Sequence, residues 1–293
     1  MNVQELHETQ AGYYGRPIVK PPEWTALIPT YFWAGGWAGA SATLALAARL
    51  RGKHGAARTY ALAAAAGTAI SAFCLIADLK KPQRFHHMLR VFKPSSPMSV
   101  GVYLFSVFGG AAMTAAASEL TGVARPIGRL GEVVAGVAGP FISVYTAVLI
   151  GDTAMPAWHH ARTSLPALFA ATSASTAGGL GMCFIERRQA KAARRLAMAG
   201  ATGVTFALER LHRELGPFQS QAYRRGKAGL LSRLARLLNI SGLLATIFAS
   251  RSDRIARVAG AMLLAAGLAE RFAVYHAGKR SAEDPKFTIA AQA

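Results

Sequence analysis

The sequence predicts an all-α membrane protein of about eight transmembrane helices, and three observations carry the prediction. Apolar runs recur along the chain, most of them near the roughly 20 residues that a helix needs to cross a hydrocarbon core. The composition, 52% hydrophobic and only 16% charged, is unusual for a soluble domain and ordinary for a helical membrane protein. The basic residues behind the net charge of +19 fall in clusters between the apolar runs, as membrane-flanking loops do. That distribution, and the lack of any RNA- or DNA-binding motif, argues against a nucleic-acid partner.

The candidate spans run from Thr25 to Ala48, Arg58 to Ala77, Pro97 to Ser118, Leu130 to Ile150, Leu165 to Ile185, Arg195 to Leu208, Leu230 to Ser250 and Val258 to Tyr275. The first follows a polar, partly acidic stretch, residues 1–24, and is of full span length, so it reads as a retained helix and not a cleavable signal. Between the second and third lies a polar, Pro-punctuated hairpin from Asp78 to Ser96. Pro140 in the fourth should bend that helix and free a carbonyl one turn back, close to Tyr145. The sixth has few apolar residues for a crossing of about 30 Å, and the seventh carries Arg233 and Arg236, which suit snorkelling from a helix end. If the sixth were interfacial, the count would be seven and the C-terminus would change sides. Abundant Ala and Gly let helix backbones approach closely in lipid, so a compact bundle is expected.

With eight spans, the N-terminus, the hairpin, the loops 151–164 and 209–229 and the C-terminus share one side, termed face A. Lys and Arg are slightly more numerous there, which leans towards a cytoplasmic face A.

Ionisable residues at or inside a bilayer are costly, which makes each a functional candidate. Most converge on face A. Asp78 ends the second span, Asp152 follows the fourth, and Tyr145 lies two helical turns, roughly 10 Å, before Asp152. The first span opens on the same side with Glu23, Trp24, Tyr31 and Trp33. Carboxylates, a phenol and aromatic rings at one shallow pocket suit a quinone headgroup. Its redox chemistry moves protons with electrons, and its ring wants apolar walls.

Two other classes compete with this reading. In a small proton- or ion-conducting transporter, Glu119 and Glu270 would mark the path, but no pair of Gly/Pro-broken helices is related by repeat symmetry. A haem b anchor needs axial ligands within the bundle, and no histidine lies mid-span. His86-His87 and His159-His160 fall instead on face A loops. Cys74 and Cys183 are isolated, too few for an Fe–S cluster or zinc site. Neither haem, Fe–S cluster nor metal is therefore expected in this chain.

Several stretches together resemble the NrfD/PsrC family of polysulfide-reductase-type integral membrane subunits. They are Tyr31-Phe32-Trp33-Ala34-Gly35-Gly36-Trp37 in the first span, Asp78-Leu79 with Pro82 and Arg84-Phe85, Ser96-Pro97-Met98-Ser99 with Gly101, and Tyr145-Thr146 followed by Pro156 and Trp158. Leu165-Pro166 with Phe169, Ser173 and Gly178-Gly179 continue the likeness, which covers roughly residues 25–185. The resemblance implies two four-helix bundles, here residues 25–151 with a quinone site and 152–276, followed by a tail at 277–293. It implies a multi-pass subunit of a prokaryotic cytoplasmic membrane that catalyses nothing alone. Electrons would pass between menaquinone or ubiquinone and a four-cluster ferredoxin-like Fe–S subunit on face A, joined to a catalytic subunit, often a molybdopterin enzyme. Tyr145 and Asp78 fall at the family's helix-four tyrosine and helix-two aspartate.

The resulting expectation is a quinone-reactive membrane anchor. Tyr145 serves as hydrogen-bond donor, Asp78 and Asp152 as proton-exchange groups, and Trp24 and Trp33 as walls. The hairpin, with Lys80, Lys81, Arg84 and Arg90, docks the Fe–S partner.

Overall fold

The computed structural model of the chain describes residues 18–289. Eight long helices make up the fold: α1 (Leu27–Leu50), α2 (His54–Ala77), α3 (Pro97–Thr121), α4 (Arg125–Gly151), α5 (Leu165–Phe184), α6 (Lys191–Gln219), α7 (Gly226–Phe248) and α8 (Asp253–Glu283). No strand occurs among the described residues. Residues 1–17 of the expected polar segment and 290–293 of the expected tail lie outside them, and the rest of that tail continues α8 and forms a short helix, Pro285–Ile289.

The helices pack as two four-helix bundles with the same internal pattern. In the first, α1 lies against α2 and α4, and α4 against α3; in the second, α5 lies against α6 and α8, and α8 against α7. Glycine sets the closest crossing in each. A Cβ on Gly39 would strike the Gly139 carbonyl, and one on Gly260 would strike the Gly179 carbonyl, so the α1–α4 and α5–α8 pairs meet backbone to backbone. Pro140 cannot donate to Gly136, and the carbonyl it frees accepts instead from Thr43 Oγ1 of α1 at 2.9 Å. The break in the α4 ladder thus becomes a tie between helices.

The described parts of the segments assigned to face A meet at one end. Thr163 donates to Glu214, Gln219 to the Phe287 carbonyl at 2.8 Å, and the Ala157 amide to Ser281 at 3.1 Å. At the opposite end, Arg187 pairs with Asp253 at 3.1 Å.

Six of the eight helices are long and apolar enough to cross a membrane; α1 and α6 are the exceptions. α1 packs against both bundles and buries Tyr31, Phe32 and Trp37 with its small residues, so it needs little lipid-facing apolar surface. α6 corrects the predicted sixth span. It extends well beyond Arg195–Leu208 at both ends and breaks only near Gly216 (φ 66°, ψ −177°) before Pro217. Its buried residues form one stripe, Ala193, Ala197, Gly200, Val204, Ala207, Leu211 and Leu215, while Met198 and Phe206 lie exposed off it. A helix that buries a single stripe has low average hydropathy yet packs fully.

Candidate functional site

Toward face A, α2 and α3 leave a gap, and the gap is a cleft of about 530 Å³. Its walls are Ala72, Leu75 and Ile76 of α2 and Val102, Phe105, Gly109 and Met113 of α3, with Ile28, Tyr31 and Phe32 of α1 and Leu149 of α4 behind them. Met98 and Met113 on the rim are 53% and 48% exposed, so the cleft opens sideways between the two helices.

The hairpin forms its roof. Residues Pro82–Leu89 make a 3₁₀ helix whose Phe85, Met88 and Leu89 line the cleft. Tyr103 Oη donates to the Leu89 carbonyl at 2.8 Å, the Lys93 amide donates to Ser99 Oγ at 3.0 Å, and Phe92 sits edge-on to Tyr103. These bonds fold the loop back over α3. Its basic side chains, Lys81, Arg84 and Arg90, remain exposed.

Tyr145 and Asp78 stand out among the few polar groups of this apolar space, whose lining also includes Tyr31, Thr68 and Ser106. Tyr145 projects from α4 towards α3, and its hydroxyl donates to the Pro97 carbonyl at 2.9 Å. The ring fits because residue 101 is glycine: a Cβ there would fall inside it. Asp78, the C-cap of α2, accepts through Oδ1 from the Thr25 amide at 3.0 Å and the Thr25 hydroxyl at 2.6 Å. Its Oδ2 has no protein partner among the described residues.

The segment before α1 crosses this end of the molecule. Glu23 pairs with Lys20 and Lys80, both at 2.6 Å. Lys20 first, then Lys80, hold the exposed Glu23 carboxyl down at about 2, and Glu23 in turn raises the Lys80 ammonium. Trp24 stacks on the fully buried Trp158 at 5.8 Å between ring centroids, and the Trp24 carbonyl accepts from Tyr275 of α8. Trp158 is itself fixed by donating to the Val274 carbonyl at 2.8 Å. One aromatic stack therefore joins the cleft wall to the second bundle.

Tyr145, Asp78 and Trp24 all line the cleft. Asp152 and Trp33 do not. Asp152 is exposed at the end of α4, and Trp33 turns towards α8, donating to the Leu264 carbonyl at 3.1 Å. A residue two turns from Tyr145 along α4 reaches the helix end, beyond the cleft. Trp33 lies two residues from Tyr31 and so on a different face of α1.

The two proton-path candidates lie apart, each in an ion pair. Glu119 meets Arg49 near the end opposite face A, where Arg49 also holds the buried Glu132 at 2.9 Å. Glu270 is buried in α8 and accepts from Arg271 at 2.7 Å. Arg271 also donates to the Phe169 carbonyl at 3.1 Å and lies over the Phe169 ring, which ties the pair to α5. No group of three or more potential metal ligands occurs among the described residues.

Residues 19–208 match the family model described as "Polysulphide reductase, NrfD". The chain belongs to the NrfD family. The match contains α1 to α5, most of α6 and the entire cleft, so the site lies in the part of this NrfD protein that the family defines. No curated protein matches the chain. Sequence reasoning missed Phe85, Met88, Leu89, Phe105 and Met113 as cleft residues. The first three repeat at i, i+3 and i+4, a one-sided apolar pattern inside a loop that otherwise reads as polar and basic.

Proposed function

We propose that this NrfD protein is the quinone-reactive membrane anchor of a multi-subunit oxidoreductase in a prokaryotic cytoplasmic membrane. It passes electrons between the quinone pool and a four-cluster Fe–S subunit on face A, and thence to or from a catalytic subunit of the molybdopterin class. The observation that carries this reading is the lateral cleft between α2 and α3, apolar along its length, with Tyr145 and Asp78 in its wall and Asp78 at the face A end. A quinone is a flat apolar ring with two oxygens at its edge and a long hydrocarbon tail. The cleft offers walls for the ring, polar groups near one end, and a sideways exit for the tail.

The observed rotamers suit the reduced form. Tyr145 uses its single proton on the Pro97 carbonyl, which leaves its oxygen lone pairs to accept from a quinol O–H. Asp78 has Oδ1 engaged by Thr25 and Oδ2 available, so it takes the proton released at the other hydroxyl. Oxidation of one quinol gives two electrons, which leave through face A to the Fe–S partner, and two protons, which leave by way of Asp78 and solvent. Exposed Lys81, Arg84 and Arg90 on the roof steer an acidic partner surface to that end. Asp152, exposed on the same face, receives protons only after they leave the cleft.

Gly110 provides the test. It lines the cleft, and a Cβ built there meets nothing within 4 Å, so a larger side chain fills the cleft without straining the fold. Gly110→Leu is expected to leave complex assembly intact and to raise KM for quinol in the assembled complex. Unchanged quinol kinetics would remove the cleft from the function.

A further inference from the structure

The second bundle has a gap where the first has its cleft. Between α6 and α7, against α8, lies a face A cleft of about 440 Å³. The two spaces differ in chemistry. The first is apolar, whereas the second is lined by Arg224, Arg233, Arg236 and His212 around Tyr223. Among the described residues, none of these three arginines has a carboxylate partner. The two carboxylates in the wall, Glu209 and Glu270, are already paired with Arg213 and Arg271. Tyr223 is 3% exposed, and its buried hydroxyl has no hydrogen-bond partner among the described residues.

Depth makes this arrangement costly unless it is occupied. Arg233 and Arg236 lie roughly 10 and 15 Å along α7 from Gly226, within a helix long and apolar enough to span the membrane. Arginine at such depth requires an anion, water or an interface to reach. The outer face of the same helix carries Leu230, Leu234 and Leu237, 68%, 43% and 65% exposed, so hydrocarbon lies directly beside the cleft. Guanidinium groups pair best with planar or tetrahedral oxyanions through paired N–H donors. An oxyanion attached to acyl chains satisfies the arginines and the leucines together. Basic pockets between membrane helices on such a face are suited to anionic headgroups.

We propose that the α6–α7 cleft binds the phosphate of an anionic phospholipid, held by Arg224, Arg233 and Arg236 with the Tyr223 hydroxyl as a further donor, its acyl chains lying along α7. The full-length protein, delipidated in detergent, is titrated with phosphatidylglycerol, phosphatidylcholine or inorganic phosphate, and bound species are counted by native mass spectrometry alongside a thermal shift. Phosphatidylglycerol is expected to bind in preference to phosphatidylcholine. R233Q/R236Q should weaken it about 30-fold, at about 1 kcal/mol for each basic residue near an anionic headgroup, and R233K/R236K, which keeps the charge but not the paired donors, should fall between that variant and the wild type. The single variant R236Q, with one charge removed, should show about a fivefold loss and decides the matter if the double variant does not fold. Equal phosphatidylglycerol binding by wild type and R236Q, or equal binding of phosphatidylcholine, would overturn the proposal. Inorganic phosphate giving the full thermal shift alone would assign the cleft to a free anion and overturn the lipid.

Discussion

The Tyr145 ring occupies the space that a Cβ on Gly101 would take, and its hydroxyl donates to the Pro97 carbonyl at 2.9 Å, one turn earlier on α3. Glycine at 101 is thus the seat of the only phenol that α4 brings to the cleft. Tyr145→Phe keeps the ring and loses one hydrogen bond, a cost of about 0.5–1.5 kcal/mol. Gly101→Ala drives the whole ring out. We expect Gly101→Ala to depress quinol turnover of the assembled complex more than Tyr145→Phe does. Stopped-flow quinol kinetics decide this, and the reverse order would mean that the seat is irrelevant.

The hairpin presents its charges unequally. Lys80 is held by Glu23 at 2.6 Å, whereas Lys81, Arg84 and Arg90 have no carboxylate partner among the described residues. Charge reversal of these three to Glu should abolish capture of an Fe–S partner, and Lys80→Glu alone should do so less. Co-purification of the complex at low salt gives the readout. Persistence of the complex with all three reversed would place the dock elsewhere.

The Glu23 clamp sets a pH window for the segment before α1. Its carboxyl is lowered from 4.5 to about 2, by Lys20 first and Lys80 second, so the clamp contributes fully above pH 4.5 and is lost as pH falls from there towards 2. Lys80 is raised by Glu23, so its share is full below 10.5 and goes as pH rises through the raised value. Hydrogen exchange of residues 20–25 should be flat between pH 5 and 10, relative to intrinsic rates, and should speed up in acid. Glu23→Gln should remove the acid step, and high salt should shrink it, because the pair is exposed.

Arg49 serves two carboxylates, Glu119 and the buried Glu132, and also lies 3.3 Å from His54. Removing it leaves negative charge unpaired inside the bundle. Arg49→Met should cost about 3–5 kcal/mol, towards the lower end because Glu119 is partly exposed and can reach solvent. Glu119→Gln should cost far less, since Arg49 keeps Glu132. Thermal melting in detergent separates the two; equal melting temperatures would mean that the cluster is solvated.

The helices, their order and the grouping of segments on face A follow from the sequence itself, because they rest on local hydropathy and on counting spans. The nearness of Asp78, Tyr145 and Trp24 was legible for the same reason: each sits at or near a face A helix end. What faces what was not legible. Trp33 and Asp152 share that end of the molecule with the cleft but turn away from it, because the crossing of α1 with α8 and the length of α4 decide their direction. Phe85, Met88 and Leu89 join it only because Tyr103 and Ser99 fold the hairpin back, contacts set by α3.

The length of α6 is the clearest case of what average hydropathy along a segment hides, since it says nothing about which stripe packs. Only the tertiary structure revealed the buried stripe of α6 and the cleft it forms with α7 around Arg233 and Arg236. Span, order and sidedness are encoded residue by residue in free energy of transfer to lipid. Clefts and ion pairs such as Arg49 with Glu119 and Glu132 arise from helices brought together across long stretches of chain, so the packing of the two bundles had to determine them.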